Sequence, residues 1–243
     1  MARVIMVASG KGGTGKSTIS AFLAHELAFK GHKTFLTELD TGFRSIDVIS
    51  GVSEDAVYDL GDVLNGECPV EKAVIVSPYC SKLHIMAAPG RKDSGGLDKL
   101  GQLVDSLYDK YDFIILDTAA GIGQSFTAAL NAANSAIVVA TPDTVSVKDA
   151  RIVSDEIFYS GIADVKLIIN KYEKDSFKHS GFDDGDSIID AVCAQLLGVV
   201  PYDSEMHMQA INGKALPANS TAKKIFSAVA DRLMGNHTPI YVK

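Results

Sequence analysis

Short, continuously apolar segments alternate along the chain with longer segments of helical periodicity. Apolar runs without alternation are typical of strands that are buried on both faces, as in a parallel sheet. The predicted strands are Val4–Ala8, Thr34–Leu39, Leu83–Ala87, Phe113–Leu116, Ala136–Ala140, Lys166–Ile169 and Val199–Val200. The predicted helices include Ser17–Lys30, Leu97–Tyr108, Val145–Tyr159 and Thr221–Met234. This alternation predicts right-handed βαβ crossovers and a three-layer α/β/α sandwich with a mostly parallel central sheet.

The composition is that of an ordinary globular protein. The 243 residues are 47% hydrophobic and 22% charged, which excludes disordered, collagen-like and coiled-coil chains. No linker, composition break or internal repeat divides the sequence, so we expect a single domain over residues 1–243. The formal net charge of −7 argues against unaided binding to nucleic acid or anionic lipid, because both usually require a basic surface.

The cysteines and the N-terminal segment indicate the compartment. Cys68, Cys80 and Cys193 are odd in number and far apart, so we expect neither a disulfide framework nor a zinc or iron–sulfur site. The apolar segment Met1–Val7 leads directly into a glycine-rich loop without a cleavage-site pattern, so it is interpreted as a strand and not as a signal peptide. No apolar run approaches the ~20 residues that span a bilayer. We therefore expect a cytoplasmic protein.

A glycine-rich loop follows the first predicted strand and precedes a predicted helix. The loop reads Gly10-Lys11-Gly12-Gly13-Thr14-Gly15-Lys16-Ser17, which fits the P-loop pattern G-x-x-x-x-G-K-[ST]. Thr18 follows it directly. The glycines let consecutive backbone N–H groups face one anion, and the positive end of the helix adds to the attraction. We expect Lys16 to reach the β- and γ-phosphates and the Ser17 hydroxyl to bind Mg²⁺. The alternative is a glycine turn without a ligand, and the position between strand and helix argues against it.

Two carboxylates are candidates for the magnesium and water sites. Asp117 directly follows the buried run Phe113–Leu116, so it is predicted to orient a water molecule on Mg²⁺. Asp40 lies at the tip of the second predicted strand, and open α/β sheets bind their ligands at the carboxyl ends of strands. Asp40 is therefore predicted to contact the metal and to position the attacking water. The alternative for Asp40 is a turn or capping role, because Asp before Thr-Gly is common in turns.

The second lysine of the loop connects these motifs to a known family. With Lys11 directly after the first P-loop glycine, the loop resembles the deviant Walker A motif of the MinD/ParA ATPases. The segments Glu38–Asp47 and Asp117–Ile122 are similar to switch I and switch II of MinD. The resemblance covers about residues 2–234 and is closer to MinD than to ParA.

Two further segments resemble those that hold adenine in this family, namely Asn170-Lys171-Tyr172 and Gly198–Asp203. The resemblance therefore assigns four more residues to nucleotide binding: Asn170, Lys171, Pro201 and Asp203. One departure lies in switch I, where Glu38 stands at a position that the family usually fills with Asp.

The resemblance implies an activity and a set of partners. Its cofactors are ATP and Mg²⁺, and its catalytic residues are Lys11, Lys16 and Asp40. Binding of Mg-ATP closes two protomers face to face, and Lys11 crosses to the phosphates held by the other protomer, much as an arginine finger does. The implied function is a slow, partner-stimulated ATPase that works as a switch in spatial positioning, such as septum-site selection. A protein activator or effector is expected.

The carboxyl terminus departs from the MinD pattern. The predicted helix Thr221–Met234 carries an apolar stripe that is typical of a core-facing helix. Eight residues follow Gly235 and include Pro239, so we expect no second helix of the kind with which MinD proteins lie in a membrane surface. Direct membrane binding is therefore not expected, and a peripheral position at the inner face would depend on a partner.

The sequence is also compatible with several alternative functions. A flagellar-number ATPase usually carries an N-terminal extension, whereas Met1 lies three residues before the first predicted strand. A chromosome-partitioning ATPase is a second family alternative, and a metallocentre-maturation ATPase would use cysteine pairs that this chain lacks. A P-loop kinase or ligase for a small molecule is disfavoured by Lys11. A non-hydrolysing interaction module is disfavoured because Lys16, Ser17, Asp40 and Asp117 are all present.

Overall fold

The computed structural model describes residues 1–90, 96–176 and 181–240. Its eight strands form one sheet in the order β3-β4-β2-β5-β1-β6-β7-β8. All neighbouring pairs are parallel except β3 and β4, which are antiparallel at one edge. The strands are β1 (Arg3–Ala8), β2 (Thr34–Glu38), β3 (Val74–Ser77), β4 (Cys80–Met86), β5 (Phe113–Asp117), β6 (Ser135–Ala140), β7 (Val165–Tyr172) and β8 (Gln195–Pro201).

Helices connect the parallel strands. A short 3₁₀ turn, Leu97–Lys99, directly precedes the helix that begins at Leu100. The α-helices in the described ranges are α1 (Lys16–Phe29), α2 (Ser45–Ile49), α3 (Leu60–Leu64), α4 (Val70–Ala73), α5 (Leu100–Leu107), α6 (Gln124–Ala132), α7 (Thr144–Tyr159), α8 (Gly185–Val192), α9 (Ser204–Ile211) and α10 (Thr221–Leu233). None of these described helices is long and apolar enough to cross a membrane.

Two hydrophobic cores lie on opposite faces of the sheet. Alternate residues of β1 enter different cores: Val4 and Met6 join one, whereas Ile5 and Val7 join the other. Helices α3 to α8 pack into the first core, and α1, α9 and α10 pack into the second. Because both faces of each central strand are covered, the strands are continuously apolar. The predicted three-layer α/β/α sandwich is confirmed.

The connections place a crevice at the carboxyl ends of β1 and β5. The crossover from β1 runs through α1 on one face to β2, and the crossover from β5 runs through α6 on the other face to β6. Neighbouring strands whose connections leave in opposite directions form a topological switch point, where open α/β sheets bind ligands. The glycine-rich loop after β1 and Asp117 at the end of β5 meet there.

Candidate nucleotide site

The glycine-rich loop forms the wall of a cavity of about 280 Å³. Gly13 (φ 78°) and Gly15 (φ 86°) have left-handed backbones, which glycine adopts without the steric cost that a Cβ would bring. A Cβ on Gly10 would lie 2.5 Å from the backbone oxygen of Asp149, so the loop packs tightly on α7. The cavity brings together most of the predicted site, and its lining residues are Ser9, Lys11, Gly12, Gly13, Thr14, Gly15, Lys16, Ser17, Thr18, Asp40, Ser45, Ile49 and Ala120.

Lys16 and Asp117 form a buried ion pair beneath the loop. Lys16 Nζ lies 3.2 Å from Asp117 Oδ1, and the side chains are 9% and 0% exposed. Ser20, one helical turn after Lys16, donates a hydrogen bond of 2.8 Å to the same oxygen. The other oxygen, Asp117 Oδ2, is buried and has no hydrogen-bond partner among the described residues. Because an unpartnered buried acceptor is costly, this oxygen is suited to a water molecule or a hydrated ion.

Three carboxyl groups, those of Glu38, Asp40 and Asp117, lie close enough to Lys16 to interact with its charge. Burial raises the pKa of Glu38 to about 7, with a further contribution from Asp117. Burial also raises the pKa of Asp40; Lys16 opposes this shift and Asp117 adds to it. One lysine therefore faces more carboxyl groups than it can neutralise. A divalent cation would balance them, and the oxygens of Ser17, Asp40 and Asp117 are ligands that fit Mg²⁺ or its water shell.

Glu38 also positions the switch I segment. Its Oε2 atom accepts a hydrogen bond of 3.0 Å from the backbone N–H of Ile46, at the start of α2. Ser45 and Ile49 of the same helix line the cavity. The Glu38 side chain therefore ties α2 to the end of β2.

Lys11 lies at the rim of the cavity and is more exposed than Lys16. Its side chain is 45% exposed, and its Nζ atom lies 3.4 Å from Asp143 Oδ1. Asp143 also caps α7 by accepting a hydrogen bond from the N–H of Ser146. An ion pair this exposed contributes less than about 1 kcal/mol, so little free energy holds Lys11 in this position.

The four predicted adenine residues divide into two pairs. Asn170 and Lys171, at the end of β7, donate hydrogen bonds to carbonyl groups of the P-loop. Pro201 lies at the end of β8, and Asp203 caps α9 by accepting a hydrogen bond from the N–H of Met206. None of the four lines the phosphate cavity, and their contact with adenine stays a prediction.

The structure adds residues that sequence reasoning did not single out. Ser20 was detectable in principle, because its spacing of four from Lys16 places both on one face of α1. The pairing of Lys11 with Asp143 spans 132 positions and has no local signal in the sequence.

The fold and this site define a P-loop nucleoside triphosphatase. A family model of ParA, described as NUBPL iron-transfer P-loop NTPase, matches residues 1–234, and the chain belongs to this family. Within it, the chain is 32% identical to the septum site-determining protein MinD of Bacillus subtilis, over 100% of the chain and 92% of the relative. It is 34% identical to MinD of Synechocystis, over 98% and 92%. The resemblance to MinD/ParA ATPases is confirmed.

Solved structures agree with these relatives. MinD in a MinC:MinD cell division complex from Aquifex aeolicus superposes with a TM-score of 0.90 at 29% identity, over 99% of both chains. MinD of Pyrococcus horikoshii, solved with Mg-ADP, superposes with a TM-score of 0.87 at 26% identity, over 96% of both chains. A plasmid partition protein of Borrelia burgdorferi, at 17% identity and a TM-score of 0.80, shares the fold. These comparisons support ATPase activity and the binding of a nucleotide with Mg²⁺.

Proposed function

We propose that the chain is a MinD-like ATPase that dimerises on binding Mg-ATP and thereby acts as a switch in placing the division septum. The different settings of its two P-loop lysines are the observation that carries this proposal. Lys16 is buried and paired with Asp117 of its own chain, whereas Lys11 stands at the rim with nearly half of its side chain exposed. Lys16 is therefore suited to phosphates in its own cavity, and Lys11 to phosphates presented by a second copy.

The chain's own groups account for binding of the triphosphate. Backbone N–H groups of the P-loop orient the phosphates, and Lys16 exchanges Asp117 for the β- and γ-phosphates. Ser17, Asp40 and Asp117 would hold Mg²⁺, which supplies positive charge beside the phosphate oxygens when bound. The unpartnered Asp117 Oδ2 atom supports this assignment.

Hydrolysis requires a positioned water and stabilisation of the charge on the transferred phosphoryl group. Asp40 accepts a hydrogen bond from the attacking water and orients it in line with the bond to the leaving oxygen of ADP. Lys11 of the partner subunit stabilises the phosphoryl oxygens while that bond breaks, a role that is worth 10³–10⁵ in rate in GTPases with an arginine finger. A single protomer lacks this cation, so turnover is slow until two protomers close.

The proposed partners follow from the same scheme. A protein that binds the closed dimer would stimulate turnover, and the MinC:MinD complex of Aquifex aeolicus supports an effector of the MinC kind. We place the protein in the cytoplasm and at the inner face of the membrane only through such a partner. We treat residues 1–243 as one ATPase domain, with direct nucleic-acid binding not expected.

The concentration dependence of ATP hydrolysis tests the proposal. Because a second copy completes the site, activity per chain should rise with protein concentration at saturating Mg-ATP until the dimer is fully formed. Lys11→Ala should lower the maximal rate by at least about 100-fold. A wild-type rate per chain that is independent of concentration, or a Lys11→Ala variant of normal rate, would contradict the proposal.

The positioned structure can be identified with an ATP-locked variant. Asp40→Ala, which retains the P-loop, serves as bait for a pull-down from the native cell in Mg-ATP, with ADP as the control. The proposal predicts division proteins among the ATP-dependent partners. Flagellar or partition proteins instead would favour one of the family alternatives.

A role in iron transfer, which the description of the family model mentions, has less support. Cys68 packs in one core, Cys80 packs against the other on the opposite face of the sheet, and Cys193 ends α8. The described residues contain no group of three or more His, Cys, Asp or Glu side chains that could hold a metal ion.

A further inference from the structure

The end of β7 contains a bulge at Lys171. In its pairing with β8, Asn170 lies opposite Val200 and Tyr172 lies opposite Pro201, so Lys171 is an additional residue. Its backbone is left-handed, with φ 56°, a conformation that is unfavourable for a residue with a Cβ. Successive side chains of a regular strand point to opposite faces, and a bulge redirects one of them. The bulge therefore allows Asn170 and Lys171 to reach the same neighbour.

That neighbour is the P-loop. Asn170 Nδ2 donates a hydrogen bond of 2.7 Å to the carbonyl of Thr14, and Lys171 Nζ donates one of 2.8 Å to the carbonyl of Gly13. Because a carbonyl only accepts, the amide group of Asn170 that faces Thr14 is its NH₂. A Cβ on Gly15 would lie 2.3 Å from Asn170 Nδ2, so the strand end and the loop are in close contact.

Because the peptide group is planar, the hydrogen bonds to these two carbonyls also fix the direction of the N–H groups of Thr14 and Gly15. The C=O and N–H of a planar trans peptide point in opposite directions. The peptide group that contains the Gly13 carbonyl also contains the N–H of Thr14, and the next one contains the N–H of Gly15. Holding both carbonyls toward the end of β7 turns both N–H groups the opposite way, into the cavity that Thr14 and Gly15 line, where a nest of such groups binds phosphate.

We propose that Asn170 and Lys171 form a two-residue clamp that positions the N–H groups of Thr14 and Gly15 for the phosphates. Lys171 is thus a positioning residue of the phosphate cradle and not a contact of adenine. Asn170 Oδ1 is buried and has no partner among the described residues, so Asn170 keeps one acceptor for the nucleotide. The inference rests on the proposed function in that the loop must bind a triphosphate.

Backbone NMR of the nucleotide-free protein tests the clamp without reference to function. The amide signals of Thr14 and Gly15 report the hydrogen bonds that the preceding carbonyls accept. Lys171→Met should shift mainly the Thr14 amide, and Asn170→Ala mainly that of Gly15. Lys174→Met, which removes a charge three residues later, should shift neither. Unchanged Thr14 and Gly15 amides in Lys171→Met and Asn170→Ala would overturn the clamp.

The clamp should strengthen binding of the phosphates and not of the base. Competition binding with Mg-ATP and with Mg²⁺-bound inorganic tripolyphosphate, which lacks the base, tests this consequence. Lys171→Met should weaken both ligands by the same factor, about fivefold for one hydrogen bond from a charged donor on an exposed side chain. Lys171→Arg should restore affinity to within about twofold, since it keeps a charged donor. Loss of ATP affinity alone would assign Lys171 to the base and overturn the inference.

Lys171→Gly separates the amine from the strained backbone, because glycine accepts the left-handed bulge. It should weaken both ligands as much as Lys171→Met does. Wild-type affinity in Lys171→Gly would show that the amine is dispensable and would contradict the clamp. A wild-type protein that does not bind Mg-ATP would overturn the proposed function, while the NMR result would still decide the clamp.

Discussion

At the scale of single residues, buried ionisable side chains determine how the stability of this protein depends on pH. Glu38 and His25 are both almost fully buried, but burial moves their pKa values in opposite directions. In each case burial disfavours the charged form, which is the anion of Glu38 and the cation of His25. Each residue should therefore make the free energy of unfolding depend on pH in its own direction.

Glu38 should destabilise the nucleotide-free protein at high pH. Its pKa is raised from 4.5 to about 7, so the folded state holds this proton more tightly than the unfolded state. Stability is therefore lost as the pH rises from 4.5 to about 7. Glu38→Gln, which retains an acceptor for the N–H of Ile46, should increase the free energy of unfolding at pH 8 by up to about 3 kcal/mol and change it little at pH 4.5.

Urea denaturation at the two pH values checks the prediction for Glu38. An equal effect of Glu38→Gln at pH 4.5 and pH 8 would show that hydrogen bonding, and not ionisation, dominates at this position.

His25 should have the opposite effect. Its ring contacts the carbonyl of Ala21 and the hydroxyl of Ser77, and burial lowers its pKa from 6.5 to about 4. The folded state therefore binds this proton less tightly than the unfolded state, and stability is lost as the pH falls below 6.5. His25→Gln should reduce the loss between pH 7 and pH 5 by about 2 kcal/mol. Chemical denaturation at both values measures this, and an identical loss in both proteins would refute it.

At the scale of elements, the sequence predicts what is encoded locally. The seven predicted strands all occur because each is a short apolar run that both cores cover. The edge strand β3 was not predicted, although Val74-Ile75-Val76 is an apolar, β-branched run. The strand has only four residues, and its position at the sheet edge, where Val76 is 51% exposed, depends on antiparallel pairing with β4. The P-loop was readable because its spacing is local, whereas the bulge at Lys171 depends on the register between β7 and β8.

The contact between the P-loop and α7 is a property of these elements that substitution can test. A Cβ on Gly10 would lie 2.5 Å from backbone and side-chain atoms of Asp149, so the loop or the helix must move. Gly10→Ala should lower the free energy of unfolding by about 1–3 kcal/mol.

Gly12→Ala is the matched control for this prediction, because a Cβ there meets nothing within 4 Å. It should change the stability by less than about 0.5 kcal/mol. Urea unfolding of the nucleotide-free variants compares the two, and equal stabilities would show that the loop does not pack on α7 as described.

At the scale of the whole molecule, the fold presents one edge of the sheet for binding. The crossovers from β1 and β5 leave on opposite faces and open the crevice that the P-loop and Asp40 line, with Asp117 buried beside Lys16. Lys11 stands at the rim of this crevice, where its amine can leave Asp143 at little cost. The architecture was predictable from the alternation of strands and helices. The ion pair of Lys11 with Asp143 was not predictable, because the two residues lie 132 positions apart.

The central claim is that Mg-ATP joins two copies of this chain through Lys11. The most direct test is the mass in solution of Asp40→Ala, measured by light scattering in Mg-ATP and in Mg-ADP. The account predicts a dimer, twice the 25.8 kDa of one chain, in ATP only, and a monomer in both nucleotides once Lys11→Ala is added. A monomeric Asp40→Ala protein in saturating Mg-ATP, or a stable ATP dimer without Lys11, would contradict it.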